Sequence, residues 1–155
     1  MSASGALHAF TPEDNQRDVD VRRGWALHAV LQELYDGYEA GAAAIDRAGG
    51  ALDGIGLGEW IHGGDVRDPL GAADAYTSPG VDLALELMSA RSVTQGAPAL
   101  DAEIDGHTLV FGDGEQRGRL RTDLETFIRL TSGRRPDPTR YELTNVDASA
   151  LVLFR

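Results

Sequence analysis

Cysteine is absent from this 155-residue chain, and so is lysine: all fourteen Lys+Arg residues are arginine. Without cysteine there is no protein thiolate, no disulfide and no Cys-based zinc site. Without lysine a Schiff base, a pyridoxal anchor and a P-loop are excluded. Any sulfur nucleophile has to be a bound small thiol. No long apolar run of membrane-spanning length exists, and no basic segment followed by an apolar one opens the chain. A soluble, cytoplasmic protein is expected on that basis. Positive charge is also scarce, the formal net charge being −11. Phosphate binding requires a basic face, so neither nucleic acid nor an anionic membrane is an expected partner. The acidity itself reads as a solubility feature. Arg-only, Ala- and Gly-rich usage points to a GC-rich bacterial source.

Hydrophobic residues make up 42% of the chain, enough for a packed interior at this size. One domain is expected, or two small lobes sharing a core. Residues 1–15 mix small and polar types without period and read as a loose arm, on which Leu7 and Phe10 are docking candidates. From about Arg17 to Arg47, Leu27, Leu31, Leu34, Tyr38, Ala42 and Ile45 recur at three and four, the spacing of a helix. Gly37, Gly41, Ala44 and Ala48 form a small-residue stripe beside them. Each interior Gly costs about 1 kcal/mol, so either a helix packs closely there or the helix breaks near Gly37. Gly49-Gly50 ends the element. A second helix is expected from Ile55 to Val66, closed by Pro69 and Gly71. Ser78-Pro79 reads as the start of a third, with Ser as cap and Pro in the first turn. Its buried stripe is Val81, Ala84, Leu85 and Met88.

After Gly96 the pattern changes. Leu100 to Ile104, the turn Asp105-Gly106, and His107 to Phe111 read as a hairpin. Gly112-Asp113-Gly114 reads as a second turn, before a short basic strand around Arg117 to Arg121. Thr122-Asp123-Leu124-Glu125 reads as a capping box. It opens a helix that buries Leu124, Phe127, Ile128 and Thr131 and stops at Gly133. Pro136 and Pro138 mark a loop, and Tyr141 to Leu143 and Ala150 to Phe154 read as short strands. The expected class is α+β: helices over 16–96, then an α+β lobe over 97–155 with a short antiparallel sheet, packed on them as one folding unit.

The densest chemistry lies in Gly58-Glu59-Trp60-Ile61-His62-Gly63-Gly64-Asp65-Val66-Arg67-Asp68-Pro69-Leu70-Gly71. An imidazole, carboxylates and a guanidinium stand beside a Trp. Helical spacing puts Glu59, His62 and Asp65 within about a third of one helix circumference. Here His62 is the candidate general base or metal ligand, and Asp65 the carboxylate that fixes its tautomer. Glu59 is a general acid or base if buried with a raised pKa, and a solvated charge if not. Arg67 is expected to pair with Asp65. Trp60, Arg67, Tyr38 and Arg134 are the substrate-binding candidates, Arg134 because a guanidinium grips a carboxylate bidentately. The bland readings are a structural His, core Trp25, Trp60, Tyr35 and Tyr38, and an Arg134-Arg135 pair that complements a helix dipole. His8 and His107 read as incidental.

The stretch Glu59 to Arg67 with Pro69-Leu70-Gly71 resembles the E-x-x-(x)-H-x-x-D-[IV]-R-x-x-L-G region of the mycothiol-dependent maleylpyruvate isomerase family. Gly112-Asp113-Gly114 with Gly118, and Leu130-Thr131-Ser132-Gly133-Arg134, are similar to that family's G-x-G turn and its leucine-rich helix ending in Gly-Arg. The resemblance spans about residues 20–155 and casts the chain as an N-terminally shortened, divergent relative. It implies a partial DinB-like helical bundle ahead of the small lobe. It also implies a divalent metal, usually zinc, held by two His and a Glu, and a low-molecular-weight thiol that supplies the sulfur. The family's Glu commonly stands four residues before the motif His; here Gly58 holds that place and Glu59 stands three before. His62 and Glu59 are then the metal candidates, with His28 of the first long helix as a third that matches no family motif.

The leading expectation is an enzyme that isomerises, cyclises or transfers a group on a small organic molecule, with His62 and its carboxylates as acid–base or metal-binding groups. Two alternatives stand beside it. One is a non-catalytic protein that holds a small ligand. The other is an assembly partner whose apolar first helix is covered by a second copy, as in a homodimer, or by a separate chain.

Overall fold

A computed structural model describes residues 11–154; Leu7, His8 and Phe10 lie outside them. The chain is α+β, with helices first and a four-stranded mixed sheet after them. It divides into two compact units at Gly49 and Gly50. The division falls there and not near residue 96, because the two middle helices bury their apolar side chains in the core of the later unit.

The first unit holds α1 (Pro12–Arg22) and α2 (Leu27–Arg47). α1 starts inside the segment read as a loose arm, because Thr11 and Asp14 make a reciprocal capping box and Pro12 suits the first turn. Residues 23–26 break the helix early, and α2 then runs unbroken through Gly37 and Gly41. Arg22 ties the two together by donating to Glu33 at 2.9 Å. No residue of either helix is buried.

The second unit opens with α3 (Asp53–Arg67), which a short 3₁₀ turn at Asp68–Leu70 ends. Next comes α4 (Val81–Thr94), which starts after Gly80 and not at Ser78. The Ser78 hydroxyl is engaged elsewhere, as acceptor for Arg67 Nη2 at 3.3 Å. Ala84 and Met88 are buried as expected, with Val81 and Leu85 packed beside them.

β1 (Pro98–Ile104) and β2 (His107–Phe111) form the hairpin. Asp105 and Gly106 both take positive φ (49° and 81°), as a two-residue primed turn demands. The next turn does not make a second hairpin. From Gly112 the chain crosses the end of β1 and runs back along its other side as β3 (Gly114–Thr122), parallel to β1. The crossing is tight: a Cβ on Gly112 would sit 2.2 Å from the Pro98 carbonyl oxygen. The sheet order is therefore β2-β1-β3-β4, with β4 (Tyr141–Thr144) antiparallel to β3, and the sheet is mixed instead of wholly antiparallel.

α5 (Leu124–Thr131) is capped by Asp123, whose side chain accepts from Thr126 N at 2.9 Å. The cap lies one residue past Thr122, which is paired in the sheet with Ile104 and Tyr141. Residues 150–154 are not a paired strand. A 3₁₀ turn at Ala148–Leu151, begun by the Asp147 cap, leads into an extended end held by Leu153 N donating to Thr131 O at 2.8 Å. Alternate sheet residues Leu100, Ala102, Ile104, Phe111 and Leu120 join Leu57, Ile61, Met88, Phe127, Ile128, Leu151 and Leu153 in one core. The other sheet face is polar. There Arg117 meets Asp101 at 2.9 Å, and Arg121 lies 3.7 Å from Glu103.

Candidate functional site

The α3 motif is organised around Asp65. Gly64 is the reason. A Cβ at that position would lie 2.3 Å from the Tyr76 ring, so only glycine lets the ring lie flat on the helix. The buried Tyr76 then reaches Asp65 with its hydroxyl, donating at 2.8 Å. From beyond the end of α5, Arg134 grips the same carboxylate with both Nε, at 3.0 Å, and Nη2. That is the two-pronged geometry in which guanidinium–carboxylate pairs are strongest. Arg134 also donates to Ser132 O at 2.8 Å. One turn back along α3, His62 Nδ1 lies 3.3 Å from Asp65 Oδ2 and 3.4 Å from Arg134 Nη2.

Burial alone pushes the Asp65 carboxyl up. The bonds from Arg134 and Tyr76, the Arg134 charge and the contact with His62 outweigh burial and hold it below the usual Asp range. Tyr76 shifts the other way, to about 12, because burial and the Asp65 carboxylate both disfavour its phenolate. Asp65, Tyr76 and Arg134 are therefore matched and engaged with one another, while the buried Nε1 of Trp60 beside them meets no hydrogen-bond partner among the described residues. A second link repeats the pattern: Asp68 accepts from Arg129 of α5 at 2.6 Å.

Of the expected site residues, the structure brings together His62, Asp65 and Arg134. Arg67 does not join them. Two residues on from Asp65 it faces elsewhere on the helix, and it donates to Ala75 O from Nε (3.1 Å) and Nη2 (2.7 Å). The expected Asp65–Arg67 pair is thus replaced by Asp65–Arg134. Trp60 is half-buried and packs edge-on against Tyr76, with 6.5 Å between ring centroids. Glu59 is exposed. His62 is exposed too, at 69% of its side-chain surface. Tyr38 and His28 belong to α2 in the first unit, and both are exposed.

A metal needs several converging donors. Among the described residues no three His, Asp or Glu side chains form such a group, and both Asp65 oxygens already accept hydrogen bonds. Two grooves lie over the polar sheet face, at Glu103, Arg121, Arg140 and Glu142 and at Asp101, Thr108, Arg119 and Thr144, and neither is lined by α3.

Sequence reasoning missed Tyr76 as the third partner. The only trace of it is the helical Gly64, whose missing Cβ signals a close neighbour without naming it. The other notable surface is α2, the apolar first helix of the assembly expectation. Leu27, Leu31, Leu34, Tyr35 and Tyr38 are between 49% and 76% exposed. Their helical spacing was legible in the sequence, and an apolar face awaiting a cover was one of the expectations drawn from it.

Comparison with protein-family models, with curated proteins and with solved structures finds no match to this chain. Among the described residues, no helix is long and apolar enough to cross a membrane.

Proposed function

We propose that this chain is a non-catalytic assembly protein. Its first unit offers an apolar helix to a protein partner that carries a complementary uncharged helix face. The single supporting observation is α2, a 21-residue amphipathic helix without one buried residue. Amphipathic helices owe most of their stability in proteins to covering the apolar face. In this reading the α3 motif is structural: Asp65, Tyr76, Arg134, Asp68 and Arg129 fasten α3 to the loop that carries Tyr76 and to α5 with its C-terminal end. Leu31→Asp is the test, with denaturant unfolding followed at the lowest workable protein concentration. An exposed docking residue shifts stability by no more than about 0.5 kcal/mol. A loss of about 3 kcal/mol or more is what a core Leu gives, and it overturns the reading.

A second reading has its own observation. Asp65 engages His62 at Nδ1, and Nε2 meets no partner among the described residues. That is how a carboxylate orients an imidazole for acid–base work. Together with the resemblance of Glu59 to Gly71, it supports an isomerase, cyclase or transferase acting on a small molecule. The check is deuterium uptake by a panel of enolisable carbonyl compounds. Uptake that His62→Ala abolishes establishes this reading, and uptake at the buffer rate removes it.

A further inference from the structure

Resting on the assembly reading, we propose that the partner is a second copy of this chain. Its α2 packs antiparallel against the first, about a two-fold axis level with Asp36. Three observations carry this further than an apolar face alone.

The seam is the first. Leu27, Leu31, Leu34, Tyr38, Gly41 and Ile45 alternate steps of four and three residues, the spacing that keeps one line of side chains facing a partner helix. The second is charge. Two chains of net charge −11 repel, so a contact face must be free of carboxylates for like to meet like. Glu33, Asp36, Glu39 and Asp46 all lie off the seam, and its flanks hold only His28, Tyr35 and Ala42 on one side and Val30, Gly37 and Ala44 on the other. A foreign partner is ordinarily selected by charges at those flanking positions, and there are none.

The third is size. Gly41 is the one position of the seam without a side chain, and it lies in the second half of α2. An antiparallel pair sets Leu27 opposite the partner's Ile45, Leu31 opposite the partner's Gly41, and Leu34 opposite the partner's Tyr38. Large then meets small where Leu31 faces Gly41. A Cβ added at Gly37 or Gly41 touches nothing within 4 Å. A glycine weakens a helix interior, and among the described residues nothing packs on Gly41 to offset that; a helix crossing there does. The exposed parts of Leu27, Leu31, Leu34, Tyr35 and Tyr38 amount to roughly 600–700 Å² per copy, close to the ~800 Å² per partner of a stable interface.

Sedimentation of the full chain tests the pairing. A dimer is expected, with association weakened about 30-fold or more by Leu31→Asp and by Gly41→Leu, while Asp36→Asn on the far face changes it less than about threefold. Orientation is read by single cysteines, since the chain has none of its own. A mixture of Leu27→Cys and Ile45→Cys chains should cross-link, and Leu27→Cys alone should not, because the two copies of residue 27 lie about 27 Å apart. Cross-linking of Leu27→Cys with itself overturns the antiparallel arrangement. A monomer at about 100 µM whose α2 amides exchange freely overturns the second copy and leaves the assembly reading standing. A monomer whose α2 amides are protected overturns both.

Discussion

Asp65 sits between a guanidinium and a phenol, and its replacement has a calculable sign. Asp65→Asn leaves the Tyr76 hydroxyl an acceptor but strands the half-buried Arg134 without its carboxylate. Loss of a hydrogen-bonded ion pair of this kind costs about 2–3 kcal/mol, to be read as a lower denaturant midpoint at pH 7. The pH dependence comes from the two shifts. Asp65 is held below its ordinary pKa. Its contribution is therefore complete above the unfolded value of about 4 and is lost as pH falls through the folded one. Tyr76 is raised to about 12. Its contribution is complete below about 10 and is lost as pH climbs towards 12. Unfolding midpoints of the parent and of Asp65→Asn between pH 3 and 7 should converge as acid is added, and parallel curves refute the assignment. Gly64→Ala provides an independent check. The Cβ overlap with the Tyr76 ring costs about 1–3 kcal/mol, more than the roughly 1 kcal/mol that helix propensity returns, so net destabilisation is expected. At this scale the residues were legible and their partners were not. Tyr76 lies 11 residues from Asp65 and Arg134 lies 69 away. No local pattern encodes pairs that only a folded chain brings together.

Elements were legible where local chemistry decides them and misplaced where a distant contact does. The Asp105-Gly106 turn needs only its own backbone, and it stands where the sequence puts it. α5 needs a cap, and both Thr122 and Asp123 qualify. The sheet claims Thr122, so Asp123 caps, and Asp123→Ala should cost about 1 kcal/mol, measured as a shift in thermal midpoint. Ser78-Pro79 looks like a helix start, but Arg67 reaches across to the Ser78 hydroxyl and α4 begins later. Gly112-Asp113-Gly114 looks like a hairpin turn and is a crossing. The difference rests on the Ala97-Pro98 backbone beneath it, which no reading of three residues reveals. Gly112→Ala is accordingly expected to be far more damaging than an ordinary turn substitution. Its φ is +64°, and the new Cβ would overlap backbone atoms that cannot swing aside. Loss of cooperative unfolding in that variant is the expected result, and a near-parental melt refutes it.

Among the described residues, the buried core lies in one unit. The cluster of buried apolar residues begins at Leu57 and ends at Leu153; α1 and α2 contribute no buried residue. Stability tracks buried apolar area, so residues 50–155 should fold without the first 49. Excision of 1–49 is expected to leave a cooperative thermal transition within about 5 °C of the parent, the shift that about 1 kcal/mol gives in a domain of this size. Near-UV circular dichroism from the Trp60–Tyr76 and Phe111–Phe127 contacts should survive. The parent's midpoint should rise with protein concentration, because association stabilises the associated form, and the excised fragment's should not. A fragment that fails to fold overturns the independence of the second unit, and one that keeps the concentration dependence moves the interface away from α2 and into that unit.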